Sequence, residues 1–154
     1  KQKTAYEIMP SLVGSEMCIR DRYLLDTSAI LTLLEDEEGA DRVETLLREG
    51  EVLLPFLVLL EAYYITLQEQ PEDIASQRYA LMKQLPATFL WSVDEPVLLT
   101  AARFKARYRL SLADSLIAAF AFQHKAILVH KDPEFEALAG LIRQEALPYK
   151  GKRT

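Results

Sequence analysis

Tyr23-Leu24-Leu25-Asp26-Thr27-Ser28-Ala29-Ile30-Leu31 is the stretch on which the fold turns. Tyr23, Leu24 and Leu25 form a short apolar run without polar alternation, the pattern of a strand buried on both faces. Asp26 ends that run, and Thr27 or Ser28 can cap a helix over roughly 28–35. Outward from there the same grammar repeats. Glu35 to Glu38 is an acidic break, and a second helix is expected from Gly39 to Arg48, with Gly50 as its stop. Val52-Leu53-Leu54 reads as a second strand before Pro55, followed by a strongly apolar helix over 56–69. Further helices are expected over 72–84, 95–107 and from Ser111 to near His124. Strands are expected at Phe89-Leu90-Trp91 and from Ala126 to Val129. Pro133 opens a short helix, and Ala146-Leu147 reads as a final edge strand. Short non-alternating strands separated by helices predict an α/β fold of three layers, with a mostly parallel central sheet flanked by helices.

The 154 residues suffice for one domain with a real core, and 50% apolar with 27% charged residues excludes wholesale disorder. A single cysteine, Cys18, excludes a disulfide framework and an all-cysteine zinc site. Only two histidines, His124 and His130, argue against a zinc enzyme. No uninterrupted apolar run reaches the ~18 residues of a membrane-spanning helix. The formal charge of -5 rules out a basic nucleic-acid coat. It leaves open an enzyme that cuts nucleic acid through carboxylate-held cations.

The charge is unevenly spread: residues 1–22 hold four basic and three acidic side chains, a net of +1, so -6 falls on the remainder. That opening stretch has neither the apolar centre nor the cleavage pattern of a signal peptide. Ser11 to Arg22 resembles the translated end of a transposase-type sequencing adapter, so residues 1–22 read as a non-native or disordered extension. The functional domain is expected over 23–147, with 148–154 as a tail.

Four carboxylates stand out by position. Asp26 ends the first strand, and Asp132 follows the fourth. Glu61 is the only charge between Pro55 and Leu67, and Asp114 interrupts an apolar-rich helix. Active sites of open parallel sheets lie beyond the carboxyl ends of the strands, where all four can converge. Clustered carboxylates raise one another's pKa unless a cation balances them, and all-oxygen ligands favour Mg²⁺ or Mn²⁺. Each acid also has a plainer role open to it. Asp26 can cap a helix, Glu61 can extend its head to water, Asp114 can complement a helix dipole, and Asp132 can belong to a turn. The run Arg103-Phe104-Lys105-Ala106-Arg107-Tyr108-Arg109 fits phosphate contact with Tyr108 stacking on a base, and equally a solvated helix end. His130 and Lys131 are further possible RNA contacts.

Taken together, four segments resemble the acidic motifs of PIN-domain ribonucleases, above all the VapC toxins of VapBC toxin–antitoxin systems. They are Tyr23 to Leu31, Leu59-Leu60-Glu61-Ala62-Tyr63-Tyr64, Leu110 to Ala119, and Ile127 to Phe135. The resemblance implies a PIN-like fold over 23 to about 147 and a cytoplasmic Mg²⁺- or Mn²⁺-dependent endoribonuclease leaving 5'-phosphate and 3'-hydroxyl ends. Asp26, Glu61 and Asp114 would form the metal-centred core, Asp132 a fourth carboxylate and Ser28 a supporting hydroxyl. The last motif departs from a common form with Thr and then Asn or Arg before the Asp; here His130 and Lys131 stand there. The resemblance also implies a cognate antitoxin covering the groove. The apolar helices 56–67 and 95–106 point to a homodimer. Two other functions remain open: a PIN-domain RNase in RNA processing or decay outside a toxin–antitoxin system, and a non-catalytic partner-binding module.

Overall fold

The computed structural model describes residues 21–151. Most of the adapter-like stretch, with Cys18, and the last three residues of the tail lie outside the described residues.

The first strand, β1 (Arg22–Leu25), leads through Asp26 into α1 (Thr27–Leu34). Then follow α2 (Ala40–Glu49), β2 (Glu51–Pro55), α3 (Phe56–Glu69), α4 (Glu72–Lys83), β3 (Thr88–Leu90), α5 (Glu95–Arg107) and α6 (Leu112–His124). The chain closes with β4 (Ile127–His130), a 3-10 helix (Pro133–Leu138) and β5 (Gln144–Ala146). The five strands form one sheet in the order β3-β2-β1-β4-β5, every pairing parallel.

That order explains the apolar runs. β1 lies at the centre with a parallel neighbour on each side, so its residues cannot reach water through either edge. Leu24, Leu25, Leu54, Leu128 and Val129 are wholly inaccessible, as are Ile30, Val58 and Ile117 from the covering helices. Each such side chain contributes about 1.5–3 kcal/mol by leaving water. The final strand is shifted from the expected Ala146-Leu147 to Gln144–Ala146, because an edge strand with an open side needs no apolar run. Leu147 instead continues the ladder by donating its backbone N–H to the His130 carbonyl at 2.7 Å.

The chain runs from β1 through β2 to β3 on one side, then crosses to place β4 and β5 on the other. The strand order therefore switches direction between β1 and β4, and the crevice beyond their carboxyl ends is where such sheets bind ligands. No helix among the described residues is long and apolar enough to cross a membrane.

Gly39, which begins α2, ties the C-terminal segment to this frame. Its φ is +105°, and an added Cβ would lie 3.3 Å from Leu147 Cβ and 3.3 Å from Pro148 Cδ. Gly39→Ala therefore combines a left-handed backbone with a crowded contact, and should cost about 1–3 kcal/mol in urea unfolding. An unchanged midpoint would show that this contact yields freely.

Candidate metal centre

Asp26 is delivered by strand pairing. Its backbone N–H donates to the Val129 carbonyl at 3.1 Å, extending the β1–β4 ladder one residue past β1. Its carboxylate then turns inward and caps α1: Oδ1 accepts from the Ala29 N–H at 2.9 Å and from the Ser28 hydroxyl at 2.7 Å. Ser28 Oγ in turn accepts the Lys131 backbone N–H at 2.8 Å, so one hydroxyl connects the loops after β1 and β4. Thr27, beside it, donates its hydroxyl to Glu61 Oε1 and holds that half-buried carboxylate of α3 to the same junction.

Asp114 stands in the first turn of α6, where its backbone N–H donates to the capping Ser111 hydroxyl at 3.0 Å. Asp132 follows β4, and its Oδ1 accepts the Glu134 N–H at 2.9 Å as the cap of the 3-10 helix. That turn brings the exposed Glu134 alongside them. One carboxylate oxygen each from Asp114, Asp132 and Glu134 lie within 4.8 Å of one another.

The electrostatics follow from burial and crowding. Asp26 is 2% exposed, and its pKa is pushed up to about 7. Burial is the main cause; the Ser28 and Ala29 hydrogen bonds oppose it, and the charges of Asp114 and Asp132 add to it. Asp114 is pushed up to about 6, first by burial and then by Glu61 and Asp132, with Glu134 contributing further. None of Asp26, Glu61, Asp114, Asp132 or Glu134 forms an ion pair among the described residues. Five carboxylates from four segments thus gather beyond the strand ends without a compensating Lys or Arg among the described residues. An all-oxygen donor set of this kind fits a hard divalent cation.

The expected residues are therefore brought together with differences of rank. Asp114 and Asp132 belong to the close oxygen triplet. Asp26 and Glu61 stand outside it, yet Asp26 feels the charges of both triplet aspartates, and Asp114 feels that of Glu61. Ser28 supports Asp26 directly. Glu134 and Thr27 are additions: Glu134 was visible only as a second acid two residues after Asp132, and Thr27 only as a hydroxyl beside Asp26.

The side chains of His130 and Lys131 are both engaged by other groups of the protein. The His130 side chain is buried at 1% exposure with both ring nitrogens bonded, and burial holds its pKa below the ordinary histidine value. The Lys131 ammonium bonds the Glu38 carbonyl at 2.8 Å and pairs with Glu37 at 3.4 Å. Arg103, Lys105, Arg107 and Arg109 are all exposed, at the end of α5 and in the turn leading to α6. Tyr108 is half-buried and meets Phe104 edge-on at 6.3 Å, so packing claims part of its ring. Next to the carboxylates opens a cleft of about 670 Å³, lined among others by Ser28, Glu35, Ile65, Lys131, Asp132 and Tyr149.

A family model described as PIN domain matches residues 23–141. Among solved structures, VapBC2 from Rickettsia felis bound to a promoter DNA fragment is similar at TM-score 0.68 and 16% identity, over 82% of this chain and 98% of that one. VapBC-1 from nontypeable Haemophilus influenzae is similar at TM-score 0.65 and 20% identity, over 81% and 97%. VapC20 from Mycobacterium tuberculosis, a toxin that cleaves the sarcin–ricin loop, is similar at TM-score 0.63 and 16% identity, over 78% and 96%. No curated protein matches the sequence.

The raised carboxylates have a consequence for stability. Folded Asp26 keeps its proton to about pH 7, whereas an unfolded Asp releases it near 3.8. The folded state binds more protons between those values, so metal-free stability falls as pH rises through that window, by up to about 1.4 kcal/mol per pH unit for each such group. In EDTA the unfolding midpoint should decline from about pH 5 to about pH 7, and Asp26→Asn should flatten the decline. Millimolar Mg²⁺ or Mn²⁺ should restore the midpoint at neutral pH. A neutral-pH midpoint indifferent to both ions would count against a cation at these acids.

Proposed function

Because the chain belongs to the PIN-domain family, we propose that it is a toxin-like endoribonuclease, dependent on Mg²⁺ or Mn²⁺ and restrained by a cognate antitoxin. The observation that carries this reading is the convergence of Asp26, Glu61, Asp114, Asp132 and Glu134 without a cationic partner among the described residues. Such a site costs folding energy and is explained by what it holds. The similarity to VapC20, a toxin that cleaves an RNA loop, favours RNA over other phosphodiesters.

Asp114, Asp132 and Glu134 would hold the cation at the mouth of the crevice, with Asp26 and Glu61 behind them. A divalent ion there would activate water and offset charge developing on a phosphodiester. The chain's own residues prepare that chemistry. Ser28 and the Ala29 N–H fix one oxygen of Asp26, and Thr27 fixes one oxygen of Glu61, so neither acid needs to reorganise. Burial around Asp26 lowers the local dielectric and strengthens its pull on a cation. The exposed basic run from Arg103 to Arg109 precedes the Asp114 helix and offers the RNA backbone counter-charges that the crevice lacks. On α3, Leu60, Tyr64 and Leu67 are exposed at helical spacing, which supports a homodimer. The cleft beside Asp132 is the proposed seat for an antitoxin segment.

Asp26→Asn and Asp114→Asn should each lower metal-dependent RNA cleavage on the order of 10²–10³-fold, the range for loss of one preorganised electrostatic group. Mapping of new 5'-phosphate RNA ends with matched preparations of both variants checks this. Undiminished cleavage by both would remove the assigned centre. Separately, Arg103→Ala and Arg107→Ala should each reduce the log–log salt slope of RNA binding by about 0.7 while leaving catalysis at saturating RNA intact. Slopes equal to that of the unaltered chain would take these side chains out of the RNA path.

A further inference from the structure

The loop after β4 is held by an imidazole nitrogen as well as by the Ser28 hydroxyl. The Asp132 backbone N–H donates to His130 Nδ1 at 3.1 Å, which makes Nδ1 the acceptor and leaves the ring proton on Nε2. Nε2–H then donates to Gln144 Oε1 at 2.9 Å. The Gln144 amide donates to the Phe135 carbonyl at 2.7 Å, closing a ring of bonds around the turn. Phe135 packs against the imidazole with centroids 5.2 Å apart, and Tyr149 stacks on it at 6.2 Å and 29°. The Tyr149 hydroxyl is itself held by Glu136 at 2.6 Å. A ring bonded at both nitrogens and packed by two aromatics has little freedom to rotate.

Downstream, the fixed Asp132 amide places the Asp132 carboxylate, and that carboxylate accepts the Glu134 N–H. Two of the three residues of the close triplet therefore follow directly on the bond to His130. We propose that His130 is a positioning residue, holding the Asp132 backbone through Nδ1 so that Asp132 and Glu134 stand at cation-binding distance from Asp114. The proposal rests on the reading of Asp132 and Glu134 as cation ligands. It also gives a role to a side chain that burial withholds from substrate. Outer partners of this kind typically govern metal affinity by 10- to 100-fold.

Two measurements on the full chain test it. In ¹⁵N-labelled protein without metal, a through-hydrogen-bond coupling should connect the Asp132 amide nitrogen to His130 Nδ1, and the ring should be the Nε2–H tautomer. A protonated Nδ1, or no coupling in a well-resolved spectrum, overturns the proposal whatever the metal does. The second measurement is calorimetric Mn²⁺ titration of folded variants. In His130→Asn the side-chain carbonyl takes the place of Nδ1, so Mn²⁺ affinity should stay close to the unaltered protein. In His130→Gln the polar atoms reach the Nε2 position instead, the Asp132 amide loses its acceptor, and affinity should fall about 10- to 100-fold. Asp132→Asn is the control. If Asp132→Asn weakens Mn²⁺ and His130→Gln does not, the positioning role is wrong while the metal centre stands. If Asp132→Asn leaves Mn²⁺ binding unchanged, the role of Asp132 as a ligand is wrong, and with it the cation-positioning role of His130.

Discussion

The parallel pairing of β1 with β4 governs both the fold and the site. It seats Leu24 against Leu128 and Leu25 against Val129 in register, and the Asp26 N–H then takes the Val129 carbonyl. Because β1 is the central strand, the residue leaving it emerges where the strand order switches direction. A carboxylate there is buried by construction. Its desolvation is offset in part by Ser28 and the Ala29 N–H, and the rest appears as the raised pKa. The apolar core beneath it supplies the stability that lets such a group persist uncompensated.

Much of this was legible in the sequence because it follows from apolar runs. Tyr23-Leu24-Leu25, Val52-Leu53-Leu54 and Ile127-Leu128-Val129 have to be strands buried on both faces, and Asp26 and Asp132 follow two of them directly. Glu61 and Asp114 were visible as lone charges in apolar helices, which only a special environment tolerates. The remainder depended on contacts distant in sequence or on turn geometry. Glu134 approaches because of a 3-10 turn, and a nearby acid in a loop carries no such signal. The final edge strand was legible only at Ala146-Leu147, because the polar Gln144 and Glu145 of β5 carry no hydrophobic signal.

His130 and Lys131 show the same limit from the other side. Read along the chain, two cationic residue types beside an acidic centre suggest contact with a phosphate. In the fold, Gln144, Phe135 and Tyr149 enclose one, while Glu37 and the Glu38 carbonyl engage the other. Their partners lie up to 94 positions away, so no local pattern reveals them. The Pro148–Gly151 stretch, which sequence alone reads as tail, contains the ring that covers His130.

Charge separation follows from these placements. With Lys131 engaged by Glu37 and Glu38, the crevice has carboxylates at its base and no free cation of its own among the described residues. The exposed arginines and lysine of α5 and its following turn sit outside it. A polyanion approaching this molecule is repelled by the overall charge and drawn only where the basic run is exposed. On the proposed reading, a cation at the carboxylates would remove the repulsion that such a polyanion meets there. With a cation held there as proposed, metal occupancy and the approach of a phosphate would be coupled by electrostatics: the same uncompensated carboxylates expected to weaken the metal-free fold at neutral pH would also repel a phosphate.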